Sequence, residues 1–532
     1  MQSDGIQIIA CPGLPPAEDA LAAVGGKAFN LLKLAANGFP VPPGFVLPTS
    51  LCRQWIEKGP PPAADFRALV AGPLQCLEQA AGLRFGDARK PLLVSVRSGA
   101  PVSMPGMLDT VLDVGLTRAT LPGLVAMTGN PRLAWDCHLR LVASYAQTVR
   151  GLDLAPFEKL SRDAAGGVAA LDTLSLRALV LRHLALFADL AGEPFPDDPF
   201  QQLLGAVDAV FRSWNSERAI SYRRINRLEG LPGTAVTVQR MVFGNAGPRS
   251  GAGVAFTRDP ATGEKGLYLD FAFDAQGEDV VSGRRPLTRS AELVRILPEV
   301  MGALNRTGAR LEEVFRDAQD FEFTVEEDEL FLLQTRDAKR SAWARLQIAV
   351  ALAEEGLIAP REALARLEGL DLAAIMRRRV AGGSDAIALG VPAGIGVATG
   401  AVALTVAAAR AQAAQGKPVI LVRNDIATED IDGIACAAGV LTARGGRTSH
   451  AAVVARELGK VAVVGCNALQ VADDGKSCDI AGHRFAEGAE ITLDGETGRV
   501  YAGAPAMEEE RPQRQLAMVE GWRKAAGPLQ AG

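Results

Sequence analysis

Apolar positions along the chain recur in two rhythms. Short runs rich in β-branched residues, Leu92–Val96 and Val236–Val242 among them, read as buried strands. Between them lie stretches with apolar residues at helical spacing, such as AFNLLKLAANG after Lys27 and the leucine-containing segments around His138 and His183. This alternation over residues 1–340 predicts a mixed α/β domain for a nucleotide or another substrate. Residues 341–380 keep helical spacing on both sides of Pro360, so 341–385 is expected to be a helical linker. After Gly382 the chain becomes rich in Gly, Ala and Val. There, short strands (Val419–Val422, Val461–Val464) and Ala-rich helices predict a compact β/α unit over 386–505. A charged tail, 506–532, contains EEERPQR and ends in one short helix. The fold class expected is α/β, of the mixed α+β kind.

One segment departs from both rhythms in an informative way. Asp320-Phe-Glu-Phe-Thr-Val-Glu alternates strictly, so Asp320, Glu322 and Thr324 share one strand face and the two Phe the other. An acidic turn follows, then Leu330-Phe-Leu-Leu-Gln-Thr-Arg336, on which Gln334 and Arg336 also share a face. A hairpin would gather two carboxylates, an amide and a guanidinium into one patch. Carboxylate oxygens suit Mg²⁺ and Arg neutralises phosphate, so the set suits Mg²⁺ with ATP. The alternative is a solvated face with one cross-strand ion pair.

Composition excludes several classes. The 532 residues carry 56 Lys+Arg against 61 Asp+Glu, a net charge of −5, which argues against a strongly basic nucleic-acid binder. Hydrophobic residues at 48% and charged residues at 22% are ordinary globular usage for about three or four domains. The seven cysteines include no CxxC pair, so neither a disulfide framework nor a zinc site is indicated. The N-terminus lacks a basic then apolar leader pattern. The uncharged stretch Ala386–Ala409 is interrupted by Gly390, Pro392, Gly394, Gly396 and Gly400, so it reads as strands and turns and not as a membrane span. A cytoplasmic protein is expected.

Three further segments carry candidate chemistry. Gly25-Gly26-Lys27 opens a helical pattern, offering backbone N–H groups and a lysine to a phosphate, or simply a turn. Arg97 ends a buried strand in SVRSGA, placed to fork onto a phosphate or to form a surface ion pair. Ser250–Arg258 is glycine-rich with a basic end, but fits neither common phosphate-loop pattern; a bulged β-hairpin is the alternative.

The four histidines are not equivalent. His450 follows Thr-Ala-Arg444-Gly-Gly-Arg447-Thr448-Ser449 and heads a helical run that Gly459 closes, with Thr448 or Ser449 as N-cap. A helix N-terminus disfavours imidazolium, leaving the ring nucleophilic, and stabilises a phosphate placed on it. Arg444 and Arg447 are candidate phosphate clamps. His138 and His183 lie in helical patterns and His483 in a polar turn, and no HExxH spacing supports a zinc hydrolase.

These residues resemble the pyruvate, phosphate dikinase family. VGGKAFNLLKLAANGFPVPPGF, VSVRSGAPVSMPGMLDTVLDVGL, GTAVTVQRMVFGN, SGAGVAFTRDPATGEKG, AQGEDVVSG, DFEFTVEEDELFLLQTR and TARGGRTSHAAVVARELGK occur in the family's order and extend over most of the chain. The resemblance implies an ATP-grasp-like nucleotide-binding domain over 1–340 and a swivelling phosphohistidine domain over 386–505. It assigns Lys27, Arg97, Arg140, Glu278, Asp320, Glu322, Gln334 and Arg336 to ATP, with Asp320 and Glu322 also holding Mg²⁺. His450 becomes the histidine that takes the β-phosphoryl group of ATP. Phosphate then removes the outer phosphoryl as pyrophosphate, and the remaining group goes to pyruvate on a C-terminal barrel. Thr448 matches a threonine that a regulatory kinase modifies in some members.

Two departures bear on what is expected. The tail resembles the lead-in to the family's barrel, so the pyruvate site and its cysteine are expected on a separate polypeptide, and 341–385 and 506–532 are expected to act as hinges. Arg447 stands where the dikinases usually have Met and resembles the phosphoenolpyruvate synthase motif, whereas VSVRSGAPVSMPGM resembles the dikinase. The alternatives are transfer to another acceptor, as in related antibiotic-modifying phosphotransferases, and a non-catalytic ATP-binding regulatory protein. Neither a nucleic acid nor a membrane is an expected partner.

Overall fold

The computed structural model describes residues 5–9, 21–102, 104, 107–164, 168, 171–281, 290–382, 384–394, 396–426, 430–446, 449–472 and 475–526. The chain divides into two compact units: Met1–Pro248 with Val325–Thr335, and Arg249–Thr324 with Arg336–Gly532.

The first unit is built on an antiparallel sheet ordered Gln7–Ile9, Gly44–Leu47, Ala235–Arg240, Val94–Gly99, Thr110–Val114. Val94, Val96, Val236 and Val238 are fully buried, as continuous apolar runs require, and face helices that include Ala63–Ala81, Pro131–Thr148 and Pro199–Ser213. Local signals place the helix starts. Asn130 accepts from the Leu133 N–H ahead of Pro131, Asp172 from that of Ser175 and Asp198 from that of Phe200 ahead of Pro199. His138 and His183 are buried within the helices Pro131–Thr148 and Thr173–Ala191.

The second unit holds three layers of structure in chain order. Gly251–Arg258 pairs with Lys265–Phe273, backed by the helix Pro298–Phe315, and Gln319–Glu326 lies on its other side. The strand Gly251–Arg258 is buried along its length, with a register shift between Phe256 and Arg258. The glycine-rich segment is therefore a bulged strand, not a phosphate loop. Its basic end is closed inside the unit: Arg258 donates to both carboxylate oxygens of Glu312, at 2.9 and 2.7 Å, and to Glu355 at 2.9 Å.

Next come the helices Ala342–Glu354 and Pro360–Arg366, with Pro360 at the first turn of the second. They share one apolar cluster with the helix Gln513–Ala526, through Val519, Leu516 and Trp522. The strands Arg377–Val380 and Met507–Glu510 pair antiparallel. Their charges oppose: Arg377 meets Glu510 at 2.8 Å and Arg378 meets Glu509 at 3.2 Å. The residues that made the tail look merely polar are one side of a complementary ladder.

The third layer is a mixed sheet. Its centre, Val397–Ala403, Val419–Arg423, Gly439–Thr442 and Val461–Val464, is parallel, and Glu490–Asp494 joins it antiparallel. Both faces of the centre are buried, which explains the uniform Val/Ile/Leu content of these strands. The helix His450–Glu457 is the crossover between Gly439–Thr442 and Val461–Val464. No helix among the described residues is long and apolar enough to cross a membrane.

Candidate active site

In the first unit the Gly25 segment and the end of the Arg97 strand are pressed together. The helix Leu21–Ala36 breaks at Gly25, whose φ is 75° and ψ 160°, and resumes at Gly26. A Cβ on Gly25 would lie 1.9 Å from the Gly99 carbonyl oxygen. The Gly26 N–H donates to the Ala100 carbonyl at 3.0 Å, so this amide is committed to the fold and is not offered to a phosphate. Lys27 follows, with its Cβ 3.9 Å from the position a Gly99 Cβ would take. Arg97, two residues before Gly99, is half-buried and donates to the Leu333 carbonyl at 3.2 Å. Asn30 donates to the Thr335 carbonyl at 2.7 Å. Gln334, buried at 6% exposure, stands between these two anchored residues. This unit thus brings the start of the Lys27 helix, the end of the Arg97 strand and the Leu333–Thr335 segment together. Arg140 belongs to a further network, paired at 2.9 Å with Asp136, whose carboxylate also accepts from Asn245 at 3.1 Å.

The expected hairpin is formed. Gln319–Glu326 and Glu329–Asp337 are joined through Glu327 and Asp328, both at positive φ (46° and 72°), the conformation of a tight primed turn. Within the second unit, Arg336 meets Asp320 across the strands at 2.8 Å. The face is not a solvated one, since Asp320 is 6% and Thr324 3% exposed. Burial pushes the Asp320 carboxyl above its usual range against the pull of Arg336, and nearby Glu322 pushes the same way. On the opposite face Phe323 stacks on Phe271, centroids 5.9 Å apart, in space that a side chain at Gly253 would fill. Asp320 and Glu322 are hard oxygen donors that could hold a divalent cation brought by a polyphosphate. No group of three His, Cys, Asp or Glu among the described residues would cage a metal by itself. Glu278 stands exposed in the first turn of the short helix Gly277–Val281.

His450 begins its helix at the C-terminal end of the strand Gly439–Thr442, the edge at which open α/β sheets place their ligands. The loop between them is fixed by its backbone. The Thr442 hydroxyl donates to the Arg444 carbonyl at 2.6 Å, and the Arg444 N–H donates to that of Asn424 at 3.0 Å, leaving the Arg444 side chain exposed. Gly445 has φ of 108°, and a Cβ there would sit 2.8 Å from the Ser449 hydroxyl. Ser449 occupies the N-cap position, but its buried hydroxyl makes no capping bond. The side chain of His450, and Arg447 and Thr448, lie outside the described residues.

Sequence reasoning gave no role to Arg456, in the last turn of the His450 helix. Its guanidinium carbon lies 5.5 Å from the centroid of Phe256, on the buried strand Gly251–Arg258. Only the folded chain brings positions two hundred residues apart into contact, so no local spacing could have marked it.

Residues 64–291 match the family described as pyruvate phosphate dikinase, AMP/ATP-binding domain, and residues 415–498 match the PEP-utilising enzyme, mobile domain. The chain is 43% identical over 490 residues to the pyruvate, phosphate dikinase of Clostridium symbiosum, covering 90% of this chain and 56% of that protein. It is 44% identical over 490 residues to chloroplastic pyruvate, phosphate dikinase 1 of Oryza sativa subsp. japonica (90% and 52%). With the Rhizobium meliloti pyruvate, phosphate dikinase it shares 39% over 522 residues (94% and 58%). The chain therefore spans between half and three-fifths of the length of these relatives. Over the segments that these models match, first an AMP/ATP-binding domain and then a mobile domain, the chain is similar to the pyruvate, phosphate dikinases.

Proposed function

We propose that this chain performs the ATP and phosphate half-reaction of a pyruvate, phosphate dikinase. A nitrogen of His450 attacks the β-phosphorus of ATP, the bond to the oxygen of the α-phosphate breaks, and AMP leaves. Phosphate then attacks the outer phosphorus of the histidine-bound pyrophosphoryl group, releasing pyrophosphate and leaving one phosphoryl on His450. That group would then pass to pyruvate at a site outside these 532 residues, giving phosphoenolpyruvate.

The observation that carries this reading is the placement of His450 at the head of a crossover helix, on the ligand edge of the mobile domain's parallel strands. A helix N-terminus favours a neutral, nucleophilic imidazole over imidazolium and stabilises negative charge placed beside it. Lys27, Arg97 and Gln334 would bind and orient the polyphosphate, and Arg336 would neutralise charge that develops as AMP departs. Arg140 and Glu278 are proposed as further nucleotide contacts, and Arg444 and Arg447 as clamps for the phosphorylated ring. Asp320 and Glu322 would hold Mg²⁺, which would supply charge neutralisation on the phosphates. Thr448, beside His450, is the proposed regulatory position, since a phosphate there would repel the incoming one.

The test is to incubate the purified chain and a His450→Asn variant with Mg²⁺ and ATP. AMP release and an acid-labile, alkali-stable phosphoryl group on the native chain alone are expected. ATP binding without AMP release by the native chain would instead favour a non-catalytic nucleotide-binding protein.

A further inference from the structure

The helix that His450 opens is held at its other end by the sheet that contains Gly251–Arg258. Arg456 lies six residues on, about 9 Å along the helix axis. Besides Phe256, which is 4% exposed, its guanidinium lies within electrostatic reach of Tyr268, Asp320, Asp259 and Asp270. These come from three places on one sheet: the strand Gln319–Glu326, the strand Lys265–Phe273, and the turn after Arg258. Burial disfavours the arginine's charge, and those four neighbours oppose that effect. A second contact joins the same two parts. The Tyr268 hydroxyl donates to the Pro392 carbonyl at 2.9 Å, on the edge strand Val391–Pro392 of the mobile-domain sheet.

The charges indicate why an arginine stands there. The sheet presents Asp320, Asp270 and Asp259 to this point, with Glu322 beside Asp320 and Arg336 as the cation that pairs with Asp320. Arg456 brings a second cation from the segment matched to the mobile domain, so it meets these carboxylates only while that segment is docked. A helix is stiff over eight residues, so fixing Arg456 on Phe256 and the aspartates also fixes where the His450 end lies. We propose that Arg456 is a positioning residue: it seats the His450 helix on the nucleotide-binding sheet for attack on ATP, and it is withdrawn when the domain carries the phosphoryl group away. This rests on the half-reaction proposed above.

Arg456→Met keeps the apolar stem on Phe256 and removes the charge. Loss of one charge-assisted contact from the docked state corresponds to roughly a 10- to 100-fold loss. The experiment follows single-turnover labelling of the chain by β-³²P-ATP, together with ATP affinity and the urea midpoint, for wild type, Arg456→Met, Asp270→Asn and the double variant. Labelling by Arg456→Met is expected to slow by that factor, with ATP affinity and midpoint unchanged, and Asp270→Asn is expected to add little further loss in the Arg456→Met background. Should Arg456→Met fold poorly, Arg456→Lys carries the test. It retains the charge without the planar fork, and a rate between wild type and one-tenth of it is expected. Wild-type rates in Arg456→Met, or a loss matched by weakened ATP binding and a lower midpoint, overturn the proposal. Absence of label on the wild type itself refutes the half-reaction and is thereby told apart from failure of Arg456.

Discussion

Adjacent glycines in the first unit should respond oppositely to the same substitution. Gly25 has φ 75° and ψ 160°, a region essentially closed to other residues, and occupying it with Ala costs about 1–3 kcal/mol. The new Cβ would also lie 1.9 Å from the Gly99 carbonyl oxygen. Nonbonded heavy atoms settle near ~3.5 Å, so helix or strand must retreat by about 1.5 Å, an overpacking cost of about 1–3 kcal/mol. Gly25→Ala is thus expected to destabilise the first unit by roughly 2–6 kcal/mol. Gly26 is helical, and its Cβ would meet Pro101 at 3.6 Å, an ordinary contact. Gly26→Ala should then stabilise by about 0.5–1 kcal/mol through the unfolded chain. Urea unfolding measures both. The same retreat separates Lys27 from Arg97, so Gly25→Ala should also weaken ATP binding at urea-free conditions, whereas Gly26→Ala should not. Equal effects of the two, or a neutral Gly25→Ala, would refute the close approach on which this part of the site depends.

Other outcomes follow from buried charge. Arg258→Met leaves Glu312, 3% exposed, without its bidentate partner and should cost about 3–5 kcal/mol in urea unfolding; adding Glu312→Leu should recover much of it. His138 and His183 are buried neutral, with pKa pushed down by burial to about 4 from 6.5. Their contribution is complete above pH 6.5 and is lost as pH falls toward 4, by up to roughly 3 kcal/mol each. The double variant His138→Gln/His183→Gln should flatten the stability profile of the first unit across that window. Glu510→Arg places like charges opposite Arg377 and should accelerate amide exchange at 377–380 and 507–510, leaving the exchange of Val94–Gly99 unchanged.

Much of this arrangement was legible in the chain because it is local. Strict alternation through Asp320–Glu326 identified a strand and its acidic face, and the acidic turn marked the hairpin. The run after His450, closed by Gly459, marked the helix that carries it. Long-range consequences were not legible. Gly25 and Gly26 look alike in sequence and differ only because the end of the Arg97 strand folds against one of them. EEE in the tail reads as a solvated run until RRR, some 130 residues earlier, is found opposite it. Nothing in the glycine-rich segment that Arg258 ends marked its partners, Glu312 on the helix Pro298–Phe315 and Glu355 at the end of Ala342–Glu354. Arg456 carried no local signal, since its neighbours come from a different sheet.

The central claim is that His450 receives the β-phosphoryl group of ATP, and parallel labelling with β-³²P-ATP and γ-³²P-ATP tests it most directly. Without phosphate, both labels should appear on the chain, mapped to the peptide containing His450, and neither on His450→Asn. On adding phosphate, the γ label should leave as pyrophosphate while the β label stays. Retention of the γ label alone, or label on the His450→Asn variant, would contradict the account.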